Sequence, residues 1–221
     1  VVRNDISLSG GTRFVVITGP NTGGKTVTLS TAGLMVLMTH AAIPIPVAPE
    51  SHVPRFKNVF ALIGDAQDIQ RDLSSFSGHL AALTELLDSA GPGTLALLDE
   101  LVVGTEPESG AALAIAVMEE LAERGARGFV TTHYARLKTL AYENERFANA
   151  SVGVEADALT PSHELKMGLP GASNPFAVAA QLGFDERVIE RAQAIAAGDA
   201  DFAMAIERLE EERARLAERT E

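Results

Sequence analysis

One stretch constrains this chain more than any other: Gly19-Pro20-Asn21-Thr22-Gly23-Gly24-Lys25-Thr26, which fits the pattern G-x-x-x-x-G-K-[ST]. Ahead of it, Arg13 to Thr18 (RFVVIT) is a β-branched run that predicts a strand; behind it, Lys25 to Ala42 carries apolar residues at helical spacing. Strand, glycine loop and helix form the context in which the pattern has chemical meaning. A chance match in a chain of this length has a probability on the order of one per cent. Backbone N–H groups of such a loop, with the helix N-terminus behind them, surround phosphate oxygens at little reorganisation cost. The expected ligand is ATP with Mg2+, held by Gly19, Pro20, Asn21, Thr22, Gly23, Gly24, Lys25, Thr26 and Val27. Lys25 is expected on the β- and γ-phosphates, and Thr26 on the metal through its hydroxyl.

The rest of the chain alternates strand and helix signals. After a proline-rich connection (Pro44, Pro46, Pro49, Pro54), Asn58 to Ile63 predicts a strand, Gly64 to Ser77 a polar loop and His79 to Ser89 a helix. Thr94 to Leu98 is apolar on both faces, as a central parallel strand should be. Pro107 suits the first position of a helix running to Arg124, and Gly128 to Thr132 predicts the next buried strand. The fold class expected is α/β: a mixed, mainly parallel sheet flanked by helices, occupying residues 1–150. Residues 151–198 predict a hairpin and two short helices, a small C-terminal subdomain. In 199–221, Phe202, Ile206, Leu209 and Leu216 stripe a charged helix, read either as a coiled-coil arm or as a solvated surface helix.

Two further segments carry chemistry. Leu95 to Leu98 delivers Asp99 and Glu100 to the end of a buried strand, where Asp99 would meet the Mg2+ shell and Glu100 would polarise the attacking water. His133 follows the third buried strand in TTHY, again at a carboxyl end, and could donate to a γ-phosphate; alone, such a histidine is more often structural. Lys25, Glu100 and His133 are the candidate catalytic residues, and Thr26 and Asp99 the candidate metal ligands. Leu8-Ser9-Gly10-Gly11 spells the core of the signature with which ABC-type ATPases grip a partner's nucleotide. It precedes the phosphate loop, where a turn between strands accounts for it.

Composition narrows the setting. The net charge of −12 means that this stretch repels polyanions overall, so a nucleic-acid partner is expected to be held elsewhere. The absence of cysteine excludes disulfides and thiolate metal sites. No apolar run reaches the roughly 18 residues of a membrane span and no cleavable leader opens the chain, so a cytoplasmic protein without membrane contact is expected. A start at Val1 and an end inside a charged pattern suggest a piece of something longer.

GPNTGGKT, LLDE, GTEPESG and TTHY, in this order and spacing, resemble the ATPase domain of the bacterial MutS family. GPNTGGKTVTL, IGDAQDI, SSFSGH, GAALAIAVMEEL, TTHYARLK and NASV look like its second branch. The resemblance implies an ABC-like P-loop fold working as a homodimer, each ATP completed by the opposite subunit. It assigns that trans role to the loop Ser74-Ser75-Phe76, with Ser75 where the family usually has threonine; without the resemblance this would read as a polar helix cap. It also implies that Gly168 to Phe176 begins a helix-turn-helix used for dimerisation. The acidic run Asp185-Glu186 to Glu190 argues against a helix that reads a DNA groove. One departure stands out: Val102 and Val103 occupy a segment where the family commonly has small residues and glycine, which bears on the hydrolysis rate.

The resemblance further implies a clamp, formed elsewhere, that acts on branched or recombination-intermediate DNA and suppresses recombination, or that acts on stalled ribosomes, with a nuclease-like domain beyond this chain. Two other readings stay open: the ATPase of mismatch-repair MutS proper, and an ATP-binding dimerisation module with little hydrolysis.

Overall fold

The computed structural model describes residues 2–20, 23–64, 75–102, 104–154, 161–171 and 175–196. In chain order the elements are β1 (Phe14–Thr18), α1 (Lys25–His40), β2 (Asn58–Leu62), α2 (Ser75–Ser89), β3 (Thr94–Leu98), α3 (Pro107–Glu123), β4 (Arg127–Thr131), α4 (Ala135–Glu143), β5 (Phe147–Val154), β6 (Pro161–Met167) and α5 (Pro175–Gln181). Helical backbone also covers 186–196. The chain divides into two compact units, one up to Ser173 and one from Asn174.

The first unit is built on one sheet of order β2-β3-β4-β1-β5-β6, parallel throughout except for β6, which pairs antiparallel with β5. Strands β1 and β3 are buried at every position because each has a strand on both sides and helices above and below. Side chains alternate between the faces with the two-residue period of a strand. Val15 and Ile17 meet Leu29, Ala32 and Val36 of α1 on one face. Phe14 and Val16 share the other with Leu83 and Leu86 of α2, Ala114, Met118 and Leu121 of α3, and Leu137 and Leu140 of α4. Thus α1 leaves the sheet on the face opposite α2, α3 and α4. Connections that diverge in this way open a crevice at the carboxyl ends of β1, β3 and β4.

Four features differ from the sequence expectation. Helix α2 starts at Ser75 rather than near His79, because Phe76 packs against the core and anchors an extra turn. Helix α4 was not expected: it has nine residues and buries only Leu137 and Leu140, too short a pattern to stand out. The hairpin expected in a C-terminal subdomain joins the main sheet instead, since β5 pairs with β1 from Phe14↔Phe147 to Thr18↔Ser151. A boundary at residue 150 therefore falls inside β5, and the break between units comes near 173. The LSGG segment is a turn, with Gly10 at φ 62° and the Thr12 N–H donating to Ser9 O at 3.2 Å, but it leads from non-strand backbone into β1 rather than joining two strands.

The second unit holds α5 and the 186–196 helix, close to the two short helices expected there. The striped segment containing Phe202, Ile206, Leu209 and Leu216 lies outside the described residues. Among the described residues no helix is long and apolar enough to cross a membrane.

Candidate nucleotide-binding site

The glycine loop sits at the carboxyl end of β1 and turns directly into α1. Gly19 has φ 137°, and a Cβ there would stand 2.1 Å from the Val152 carbonyl oxygen of β5. No other residue fits so close to a neighbouring backbone. Gly24, at φ 94°, is the N-cap of α1 and makes no side-chain cap, so the helix N-terminus, with its positive end, opens onto the glycine loop. Lys25 is only 3% exposed, and its Nζ donates to Gly19 O at 2.9 Å, folding the side chain back across the loop. Burial pulls the Lys25 ammonium below its ordinary value of 10.5, against the opposing pull of the Glu100 and Asp99 carboxylates. Val27 is exposed at the mouth of the helix, while Asn21 and Thr22 lie outside the described residues.

The carboxylates come from the end of β3. Thr26 Oγ1 donates to Asp99 Oδ2 at 2.6 Å, bringing the two candidate metal ligands together across 73 residues of sequence. Hard oxygen donors of this kind, one hydroxyl and one carboxylate beside a phosphate cradle, suit Mg2+, which binds few protein oxygens and completes its shell with phosphate and water. Glu100 follows with φ 51°, a left-handed conformation that costs a non-glycine residue about 1 kcal/mol. Its Oε1 accepts from His133 Nε2 at 2.7 Å, with both side chains partly open to solvent. Lys25, Thr26, Asp99, Glu100 and His133 thus converge at one end of three strands.

Sequence reasoning missed Thr131, the last residue of β4. It is fully buried, its Oγ1 accepts from the Glu100 N–H at 2.9 Å, and it donates to Asp99 Oδ1. The available signal was a threonine closing an otherwise apolar strand, since a buried hydroxyl must find partners. It also missed the strap after β6. The Gly171 N–H donates to Thr18 Oγ1 at 2.6 Å while its carbonyl accepts from Lys138 Nζ at 2.9 Å, so the strap is pinned against the root of the loop. Val102, the unusual residue after Glu100, is buried in the core, and its carbonyl accepts from Tyr134 Oη at 2.7 Å. Val103 and Ser74 lie outside the described residues, and Ser75 is described only as the first residue of α2. A cavity of about 850 Å3 lined by Thr39, His40, Val53, Pro54, Arg55, Phe56 and Lys57 sits at the far end of α1, a helix length of about 24 Å from Lys25, and is separate from this site.

A glycine loop over a buried lysine, a threonine–aspartate pair at its mouth and a mainly parallel sheet beneath define a P-loop nucleotide-binding domain. Comparison with known proteins makes the assignment particular: the family model for MutS domain V matches residues 15–198. Proteins named Endonuclease MutS2 from Bacillus mycoides (strain KBAB4), Bacillus anthracis (strain A0248) and Bacillus cereus (strain B4264) are each 48% identical over 193 residues, covering 87% of this chain and 25% of the relative. The chain belongs to the MutS family, as an ATPase-domain segment of its MutS2 branch. It spans about a quarter of the length of these relatives.

Proposed function

We propose that this chain binds ATP with Mg2+ and hydrolyses it, in a site completed by a second copy of the same chain. The observation that carries the reading is the Thr26–Asp99 contact at the mouth of the glycine loop, with Glu100 and His133 beside it. Backbone N–H groups from Gly23 to Thr26 bind the phosphates, and the Lys25 ammonium, released from Gly19 O, neutralises the β- and γ-oxygens. Thr26 and Asp99 hold Mg2+, which when bound supplies charge neutralisation to the phosphate oxygens. Glu100 accepts the proton of the attacking water, and His133 orients Glu100 until the γ-phosphate offers it another acceptor. Ser75 opens α2, and the family resemblance implies that Ser74 and Ser75 reach a neighbour's nucleotide.

The second unit, from Asn174, is assigned to dimerisation. The relatives' name and greater length support a nuclease outside these 221 residues; branched or recombination-intermediate DNA as the whole protein's substrate, and stalled ribosomes as a further partner, are what the family resemblance implies. The test is steady-state ATP turnover in the wild type, Glu100→Gln and Lys25→Ala. Glu100→Gln should keep ATP affinity and lose turnover by about 10²–10⁴-fold, and Lys25→Ala should lose affinity. Equal, near-zero turnover in wild type and Glu100→Gln, with ATP still bound, would leave the chain a dimerisation module and refute hydrolysis.

A further inference from the structure

Thr131 belongs to no assignment made so far, yet its hydroxyl touches both carboxylate residues. A hydroxyl has a single hydrogen and two lone pairs. The Glu100 N–H occupies a lone pair at 2.9 Å, and the hydrogen goes to Asp99 Oδ1. That bond leaves Asp99 Oδ2 as the oxygen that faces Thr26. The bond from the Glu100 N–H holds the residue where its backbone is left-handed and its side chain meets His133. Thr26, Asp99, Thr131, Glu100 and His133 are therefore joined in one unbroken run of hydrogen bonds from the glycine loop to the end of β4.

We propose that Thr131 is a positioning residue that couples the cation end of the site to the water-activating end: it fixes which oxygen Asp99 presents and, through the same atom, where Glu100 stands. The inference rests on the ATPase reading above. A threonine that merely satisfied a buried N–H would need no bond to Asp99, and one that merely filled space would need no hydroxyl. The same hydroxyl thus holds the N–H of the Asp99–Glu100 peptide and the Asp99 carboxylate, so a turn of that carboxylate pulls on the acceptor of the Glu100 N–H. Were Thr26 to ligate a cation through its oxygen, Thr131 would still hold the Asp99 carboxylate by Oδ1 and leave Oδ2 turned towards the same cation.

The experiment compares Thr131→Val, which keeps volume and β-branching, Thr131→Ala, which loses both volume and hydroxyl, and Thr131→Ser, which keeps the hydroxyl. ATP affinity is measured with and without Mg2+, turnover is titrated with Mg2+, and melting temperature is recorded for each. Thr131→Val and Thr131→Ala should bind ATP in chelator like the wild type, lose most of the Mg2+-dependent gain in affinity, and drop kcat by about 10- to 100-fold. Thr131→Ser should stay within about threefold of wild-type kcat. Wild-type kcat and Mg2+ response in Thr131→Val would overturn the inference. So would a Thr131→Ser loss that matches Thr131→Val, or losses that follow melting temperature and appear equally without Mg2+. A wild type that neither binds nor turns over ATP would instead sink the ATPase reading, and this inference with it.

Discussion

Lys25 is a charged group kept in a place that does not suit it. Burial is the larger influence on its ammonium and outweighs the attraction of Glu100 and Asp99, so the folded protein holds that proton less tightly than the unfolded chain does. The sign follows. A lysine with a lowered folded pKa costs stability at every pH below that value, and the cost disappears as pH rises through it towards 10.5. Lys25→Met, which keeps the stem without the charge, should therefore melt no lower than the wild type in the absence of nucleotide at pH 7. Any advantage should shrink as pH approaches 10, and ATP binding should be lost at both. Calorimetric melting across that range checks it; a Lys25→Met protein that melts well below the wild type at pH 7 would mean that the ammonium is a net stabiliser. A similar tension holds at Glu100, whose backbone conformation favours glycine while its carboxylate is positioned for chemistry.

At the scale of elements, the loop is held as much by β5 as by its own glycines. The Gly19 backbone lies against the Val152 carbonyl, so Gly19→Ala would put a Cβ only 2.1 Å from that oxygen of another strand. It should cost about 2 kcal/mol or more and lower the melting temperature by about 4–8 degrees or more. Gly11→Ala is the control: nothing lies within 4 Å of a Cβ there, and the change should be nearly silent. Similar melting of the two variants would deny the close approach. Strand–loop–helix was legible around residues 14–40 because a buried strand, a glycine motif and an amphipathic helix give three agreeing signals. The reach of β5 across to β1 was not legible. Pairing between residues 14–18 and 147–151 is a long-range choice, and alternation in Phe147–Val154 fits the edge of a small subdomain as well as the flank of a large sheet. Residues Lys25, Thr26, Asp99, Glu100 and His133 were readable one by one from their motifs. Thr131 and the Thr18–Gly171–Lys138 contacts were not, because a hydrogen bond across 32 or 153 residues leaves no mark in local pattern.

For the molecule as a whole, the excess of acidic side chains suits the proposed division of labour, with this segment on nucleotide and any nucleic-acid contact made by other segments. The second unit leaves Leu182, Phe184, Val188 and Ile195 half or more exposed, a quantity of apolar surface that a short helical unit gains by covering. Phe184→Glu should weaken self-association in sedimentation or light-scattering measurements with ATP present, while the affinity of a single subunit for ATP stays as it was. Unchanged association would remove the second unit from the dimer interface.

The turn at Gly10 and Gly11 acquires a practical meaning from this arrangement. The chain has no cysteine, the turn has open space around it, and it stands eight residues before the loop that begins at Gly19. Gly11→Cys would thus create a single thiol in the whole sequence, open to maleimide chemistry without competition from any native group. A fluorophore placed there would report on β1 and the root of the glycine loop without touching the nucleotide. The motif that imitates a signature serves best as an address for a reporter.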